Sequence, residues 1–185
     1  MLMNEINFTP FPQLSTDRMI LRKINENDAE QIFKMRSDEK VMKYIGKKPM
    51  VSIEEANSLI ALFNDSIHKN MGIMWAMTLK ENPGVLIGAI GLWRLMKEHF
   101  RAEIGYMILP EYWRKGYTKE GVFKMIDFGF NELGLHSIEG RLTPLNVASA
   151  GILESTGFVK EAHLKEDFFF NGKFEDTAIY SILNK

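Results

Sequence analysis

Arg114, Lys115 and Gly116 stand where the sequence changes its period. Before them runs RAEIGYMIL (101–109), apolar and short enough for a strand. After them runs VFKMIDFGFNELG (122–134), whose apolar positions recur at helical spacing. A helix start carries unpaired N–H groups and the positive end of the dipole. A glycine there lets the backbone bend close to a ligand, and the flanking cations add charge, so WRKGYT suits a phosphate or pyrophosphate. A glycine turn with solvated cations fits the same letters. The segment is not a P-loop, because GxxxxGK[ST] is absent, and no GxGxxG fingerprint occurs. A second constellation lies downstream, where Asn146, Ser149, Gly157 and Phe158 fall in the frame N-x-x-S-x7-G-F.

Other chemistries find little support. His68, His99, His136 and His163 show no ligand spacing, so no metal site is expected. The absence of cysteine excludes disulfides, thiolate nucleophiles and thiolate metal sites, and it fits a reducing cytoplasm. A formal net charge of -1 gives no global field toward nucleic acid or an anionic membrane, and neither is expected as a partner. The start, MLMNEINFTPFPQ, lacks the basic n-region and apolar core of a signal peptide. No window approaches the roughly 20 apolar residues of a membrane span. With 185 residues, 45% hydrophobic and 25% charged, the expectation is one soluble cytoplasmic domain over residues 1–185.

The elements that must position these residues alternate. MILRKI (19–24) reads as a strand, and Asn27 with Glu30 is spaced as a capping box ahead of a helix. Ser52 and Glu55 repeat that signal before Ile53, Ala56, Ile60, Phe63 and Ile67, one apolar helical face. MWAMTLK and VLIGAIGLWRL make two strands across Asn82-Pro83-Gly84. RAEIGYMIL follows, and the helix after Gly116 is expected to stop near Gly134. SIEGRLT is another strand and VASAGILEST a short helix ended by Gly157. FVKEAHLKEDFFF and KFEDTAIYSIL flank Asn171-Gly172, a two-residue hairpin signal. The order β-α-α-β-β-β-α-β-α-β-β describes a mixed sheet covered by helices.

EIGYMILPEYWRKGYTKEG followed by N-x-x-S and GF resembles the GNAT superfamily of acyl-CoA-dependent N-acyltransferases. It is most similar to the RimJ/RimL branch, the ribosomal-protein N-terminal acetyltransferases and their small-molecule relatives. The likeness runs from TDRMILR to KFEDTAIYSIL. It implies an α+β GNAT fold, with a central twisted, mostly antiparallel sheet of about seven strands flanked by helices. It also implies acetyl-CoA as co-substrate. Met107, Ile108 and Leu109 would face the pantetheine arm, and the amides of Arg114, Lys115, Gly116, Tyr117 and Thr118 the pyrophosphate. The family loop is usually written (Q/R)-x-x-G-x-(G/A); here Trp113 takes its first position and Thr118 its last, while Arg114 replaces a frequent glycine.

Acetyl transfer needs an amine without its proton, and a carboxylate nearby can take that proton. Glu103 is the candidate base, since strand alternation puts it on one face with Gly105, Met107 and Leu109. A sheet glutamate paired with Arg101 or Arg141 is the plain alternative. Glu120, in the first helical turn, suits the dipole instead. On the leaving-group side, the tyrosine that many members carry seven residues after the motif asparagine is Leu153 here. The branch assigns that role to the serine matching Ser149, which equally suits a helix start. Asn146 is a candidate cofactor contact, and it equally suits capping.

The twelve methionines read as core filler. One of Phe168, Phe169 and Phe170 is a candidate for an acceptor-pocket wall or a homodimer contact. The acceptor readings are a protein N-terminal α-amine, ribosomal-protein-like, placed first, and then a small amine such as a polyamine, an aminoglycoside or an amino acid. A non-catalytic acyl-CoA sensor is the third, and the pairing of Glu103 with Ser149 argues against it.

Overall fold

The pattern of side chains along two central strands decides how the sheet is covered. The computed structural model describes residues 6–185. Its strands are β1 Leu14–Ser15, β2 Met19–Lys23, β3 Ile73–Leu79, β4 Asn82–Met96, β5 Arg101–Ile108, β6 Ser137–Leu142, β7 Val159–Phe170 and β8 Lys173–Leu183. The α-helices are α1 Ala29–Ser37, α2 Glu39–Met42, α3 Ile53–His68, α4 Tyr117–Asp127 and α5 Val147–Ser155. The strands form one sheet in the order β1-β2-β3-β4-β5-β6-β8-β7, antiparallel except between β5 and β6.

Successive strand residues point to opposite faces. Trp75, Met77, Ile90 and Leu92 pack on one face with Val122 of α4 and Leu153 of α5. Ala76, Leu86 and Ala89 pack on the other with Ile32 of α1 and Ile60 of α3. Each large aliphatic side chain so buried contributes about 1.5–3 kcal/mol. The result is the expected α+β sheet between helical layers. It has eight strands rather than about seven, because Leu14 and Ser15 pair with Leu21 and Ile20 as a short edge.

Local signals held where the chemistry was local. Asn171 and Gly172 have φ of 47° and 77° and join Phe170 directly to Lys173, the two-residue hairpin expected. The helix after Gly116 runs through α4 and one π-type turn, Phe128–Glu132, to Gly134 at φ 67°.

Two signals moved. The β3–β4 turn is Lys80-Glu81, since Leu79 pairs with Asn82, and Asn82-Pro83-Gly84 lies inside β4. The residues after Asn82 bulge out before Leu86 rejoins Thr78. Proline has no N–H to give the ladder, and Arg22 secures the bulge by donating Nε to Pro83 O (2.9 Å) and Nη2 to Gly84 O (3.2 Å). The first capping box is Asn25 with Asp28, not Asn27 with Glu30. At α3, Ser52 occupies the cap position without capping the helix through its side chain, and Glu55 accepts from Val51 N (3.1 Å) rather than from Ser52 N.

Two irregularities prepare a site. β5 and β6 pair only from Arg101–Ser137 to Glu103–Glu139. Beyond Glu103, β5 follows β4 while β6 follows β8, so the sheet opens as a wedge. Opposite this point β4 carries one extra residue between the Trp93–Glu103 and Met96–Arg101 pairs.

Candidate active site

The wedge leaves backbone groups without sheet partners. Leu109 N donates to Ile87 O (2.9 Å), so alternation turns the main-chain groups of Ile108 and Tyr106 toward the opening. Ile108 O accepts from Trp113 Nε1 (2.9 Å). The edge that remains, around Tyr106 and Ile108 N, suits an extended, amide-bearing chain such as pantetheine. The side chains of Met107 and Leu109 pack with the cluster under α1 and α3.

The loop after β5 presents amides. Arg114 and Gly116 both take left-handed backbone, at φ 59° and 81°. The first amide bonded within α4 is that of Glu120, to Gly116 O (3.0 Å), so those of Tyr117, Thr118 and Lys119 precede the helical ladder. Arg114 and Lys115 are exposed beside them and Thr118 is buried. Arg18 braces this loop from β2's entry. It donates Nη1 to Lys115 O (2.9 Å) and Nε to Glu120 Oε2 (2.7 Å), and its guanidinium lies 4.4 Å above the Tyr117 ring. Glu120, assigned to the dipole from sequence, is also the acceptor that fixes Arg18 and its own turn. Free amides, a left-handed glycine and two exposed cations fit a pyrophosphate.

Gly116→Val forces a β-branched residue into left-handed backbone, with its Cβ 3.3 Å from Arg18 Nη2. We expect a cost of about 1–3 kcal/mol in stability. The stabilisation that coenzyme A gives the native protein should be lost with it, while the small effect of dephosphorylated pantetheine is retained. Thermal unfolding with each ligand measures both, and equal stabilisation of the native protein by the two ligands would remove the anion cradle.

At the wedge's far side, Asn146 caps α5 by accepting from Ser149 N (3.2 Å). Ser149 is therefore the capped residue, and among the described residues its hydroxyl has no hydrogen-bond partner and lines the cleft. Tyr106 Oη donates to Ser149 O (3.3 Å). Burial pushes the Tyr106 phenol up to about 12, so it keeps its proton at neutral pH.

Glu103 is 5% exposed and faces the same cleft. Its partner is Arg94, whose Nη1 lies 3.0 Å from Oε2, not Arg101 or Arg141. Arg101 pairs with Glu139, and Arg141 lies 3.7 Å from Asp167. The β4 bulge delivers Arg94 at φ 47°, stacked 4.5 Å from the Trp93 ring centroid. Burial raises the Glu103 carboxyl, Arg94 pulls it back, and Glu139 adds to the rise, leaving it above the ordinary carboxylate range.

The cleft has a volume of about 780 Å³ and brings Glu103, Tyr106, Met107, Asn146 and Ser149 together. Arg114 to Thr118 lie outside its lining, at the start of α4. A roof crosses the cleft where Gly46 lies on Phe168, since a β-carbon at Gly46 would sit 2.7 Å from Phe168 Cε1. The sequence carried no signal for Arg94 or for Arg36, which also lines the cleft, because a bulge and helix packing bring them there. Among the described residues no group of three or more His, Asp or Glu gathers to hold a metal, and no helix is long and apolar enough to cross a membrane.

A strand edge opened near an amide-rich helix start, with a buried carboxylate in the adjoining cleft, suits an extended acyl thioester and an amine that gives up a proton. The family described as Acetyltransferase (GNAT) domain matches residues 18–159. The uncharacterized N-acetyltransferase YoaA of Bacillus subtilis (strain 168) is 42% identical over 173 residues, covering 94% of this chain and 97% of that one. The crystal structure of a GNAT-family acetyltransferase from Bacillus anthracis superposes with a TM-score of 0.81 at 29% identity, covering 93% and 98% of the two chains. That of spermidine N-acetyltransferase from Vibrio cholerae, in complex with CoA and spermine, gives 0.78 at 30% identity over 89% and 95%. The chain belongs to the GNAT acetyltransferase family and is an acetyl-CoA-dependent N-acetyltransferase.

Proposed function

We propose that the chain acetylates the primary amine of a small molecule held in the cleft against Glu103. The observation that carries this reading is the buried carboxylate opening onto a roofed cleft that also holds the free Ser149 hydroxyl. When bound, acetyl-CoA supplies an electrophilic thioester carbonyl. Glu103 accepts the amine's proton, directly or through one water, and its raised carboxyl suits that task near neutral pH. The wedge edge at Tyr106 and Ile108 orients the pantetheine arm, and Arg114 to Thr118 hold the pyrophosphate. The N–C bond forms as the C–S bond breaks, and the Ser149 hydroxyl donates a hydrogen bond to the departing sulfur. Tyr106, protonated beside it, donates to Ser149 O and so holds the start of α5. Trp113 in the phosphate loop and the Asn146–Ser149 pair support a place in the RimJ/RimL-like branch.

The roof formed by Gly46 and Phe168 favours a slim acceptor, and a relative named for spermidine supports a small amine. A protein N-terminal α-amine is the second reading, favoured by exposed Phe169 and Phe174 on the β7–β8 hairpin, an apolar surface beside the cleft. A screen of small amines and peptides with acetyl-CoA, read as thiol release, tests the proposal. Transfer to small amines is expected, and transfer to peptides alone would overturn it in favour of the second reading.

Ser149→Ala isolates the leaving-group step. Because Asn146 supplies the cap, the loss of the hydroxyl should leave stability within about 0.5 kcal/mol. kcat should fall by roughly 10²-fold, as for a lost hydrogen bond to developing charge. An acyl donor with a more acidic thiol should recover part of that loss. An unchanged kcat would shift the role to Tyr106 or to water.

A further inference from the structure

Arg36 lies in the last turn of α1 and lines the cleft. Its residue is partly buried, and among the described residues no ion pair includes it. Burial alone pulls its guanidinium down, with no carboxylate to hold it up. A partly buried guanidinium that lines the cleft without a counter-ion is placed to meet an anion that arrives with the ligand.

The remaining charges define what that partner is. On the cleft's walls Glu103 is engaged by Arg94, Asp167 by Arg141 at 3.7 Å, and Asp176 by His163 at 2.6 Å. Among the described residues, what stays unpaired on the cleft's walls is Arg36 and Lys47 on the helical side and Glu175 on the β8 side. A polyamine would set its cations against Arg36 and Lys47. A molecule with an amine at one end and an anion at the other meets complementary charge at both. The guanidinium fork matches a carboxylate in two parallel hydrogen bonds.

We infer that the acceptor is a small amino carboxylate, its carboxylate docked on Arg36 and its amine presented to Glu103. This rests on the cleft being the acceptor site of the acetyl transfer proposed above. It narrows that acceptor away from the polyamine of the Vibrio cholerae relative.

The test uses three matched probe sets with the full chain: ω-amino carboxylates of two to six carbons, their primary amides, and α,ω-diamines. Turnover with acetyl-CoA and calorimetric binding to the coenzyme A-loaded protein are measured separately. The best amino carboxylate should exceed its amide by about 10- to 10²-fold in kcat/KM, the scale of a charge-assisted hydrogen bond. Arg36→Gln should erase that ratio, and Arg36→Lys should keep part of it. Coenzyme A affinity should not change in either variant, and removing an unpaired cation should leave the fold at least as stable. Amides or diamines that match the carboxylates, or a ratio that survives Arg36→Gln, would overturn the inference. Binding of carboxylates through Arg36 without transfer to any probe would overturn the inference together with the proposed reaction. Transfer to diamines alone would overturn the inference and leave that reaction standing.

Discussion

Glu103→Gln removes most of the turnover while leaving the fold as stable as before, or more so. The substitution keeps shape and hydrogen bonding but cannot accept a proton, so kcat should fall by about 10²- to 10⁴-fold. The stability side follows from the sign of the shift. The folded-state carboxyl lies above its ordinary range because burial disfavours the charge. Its ionised form is therefore a cost to the folded state at neutral pH, a cost that vanishes as pH falls below the ordinary carboxylate range. Glutamine escapes it. The lost ion pair returns little, because the Arg94 side chain is 60% exposed. Melting temperatures measured at pH 7 and pH 4 should show the variant's advantage only at pH 7. The kcat/KM of the native enzyme should fall as pH drops through the raised Glu103 value. In Arg94→Gln that acid limb should move to higher pH, since the cation that pulls the carboxyl down is gone. Retained turnover in Glu103→Gln together with lost stability would make Glu103 a structural partner of Arg94.

Asp28→Ala should be among the most damaging substitutions outside the cleft. The Asp28 side chain is 1% exposed and meets Arg22 in a fork, Nη1 to Oδ2 at 2.8 Å and Nη2 to Oδ1 at 2.7 Å. Oδ2 also accepts from Asn25 N at 2.9 Å, completing the cap ahead of α1. Deleting the carboxylate strands a guanidinium in a largely buried place and opens the cap. Breaking such a pair costs about 3–5 kcal/mol, equivalent to roughly 6–20 °C in Tm for a chain of this size. Chemical denaturation checks the first figure and a thermal melt the second. A loss below about 1 kcal/mol would mean that the carbonyls of Pro83 and Gly84 satisfy Arg22 unaided.

That same Arg22 shows where sequence reading stops. Asn171-Gly172 was legible because two left-handed residues between alternating strands need no distant partner. Asn82-Pro83-Gly84 carries equally strong turn letters. Its conformation, however, is set by a side chain some 60 residues earlier, which turns a hairpin signal into a bulge. Asn27 with Glu30 read as the cap, whereas the folded chain caps at Asn25, where Asp28 also meets Arg22. In the candidate site, strand alternation pointed to Glu103 and the N-x-x-S frame to Asn146 and Ser149, and one cleft brings the three together, while the loop at Gly116 lies outside its lining. Glu103's true partner was not legible, because Arg94 reaches it through one inserted residue in β4. Nor was Arg36, which helix packing brings to the cleft and which no ion pair includes among the described residues.

The three-residue seam between β5 and β6 has a mechanical consequence. It divides the sheet into two slabs, β1 to β5 and β6 to β8, whose shared ladder is the shortest join in the interior of the sheet. A ligand seated in the wedge past Glu103 touches both slabs and acts as a splint across that join. Binding should therefore couple two regions that otherwise open separately, so that the loaded chain unfolds as one cooperative unit and the empty chain frays first along the line from Glu103 to Glu139.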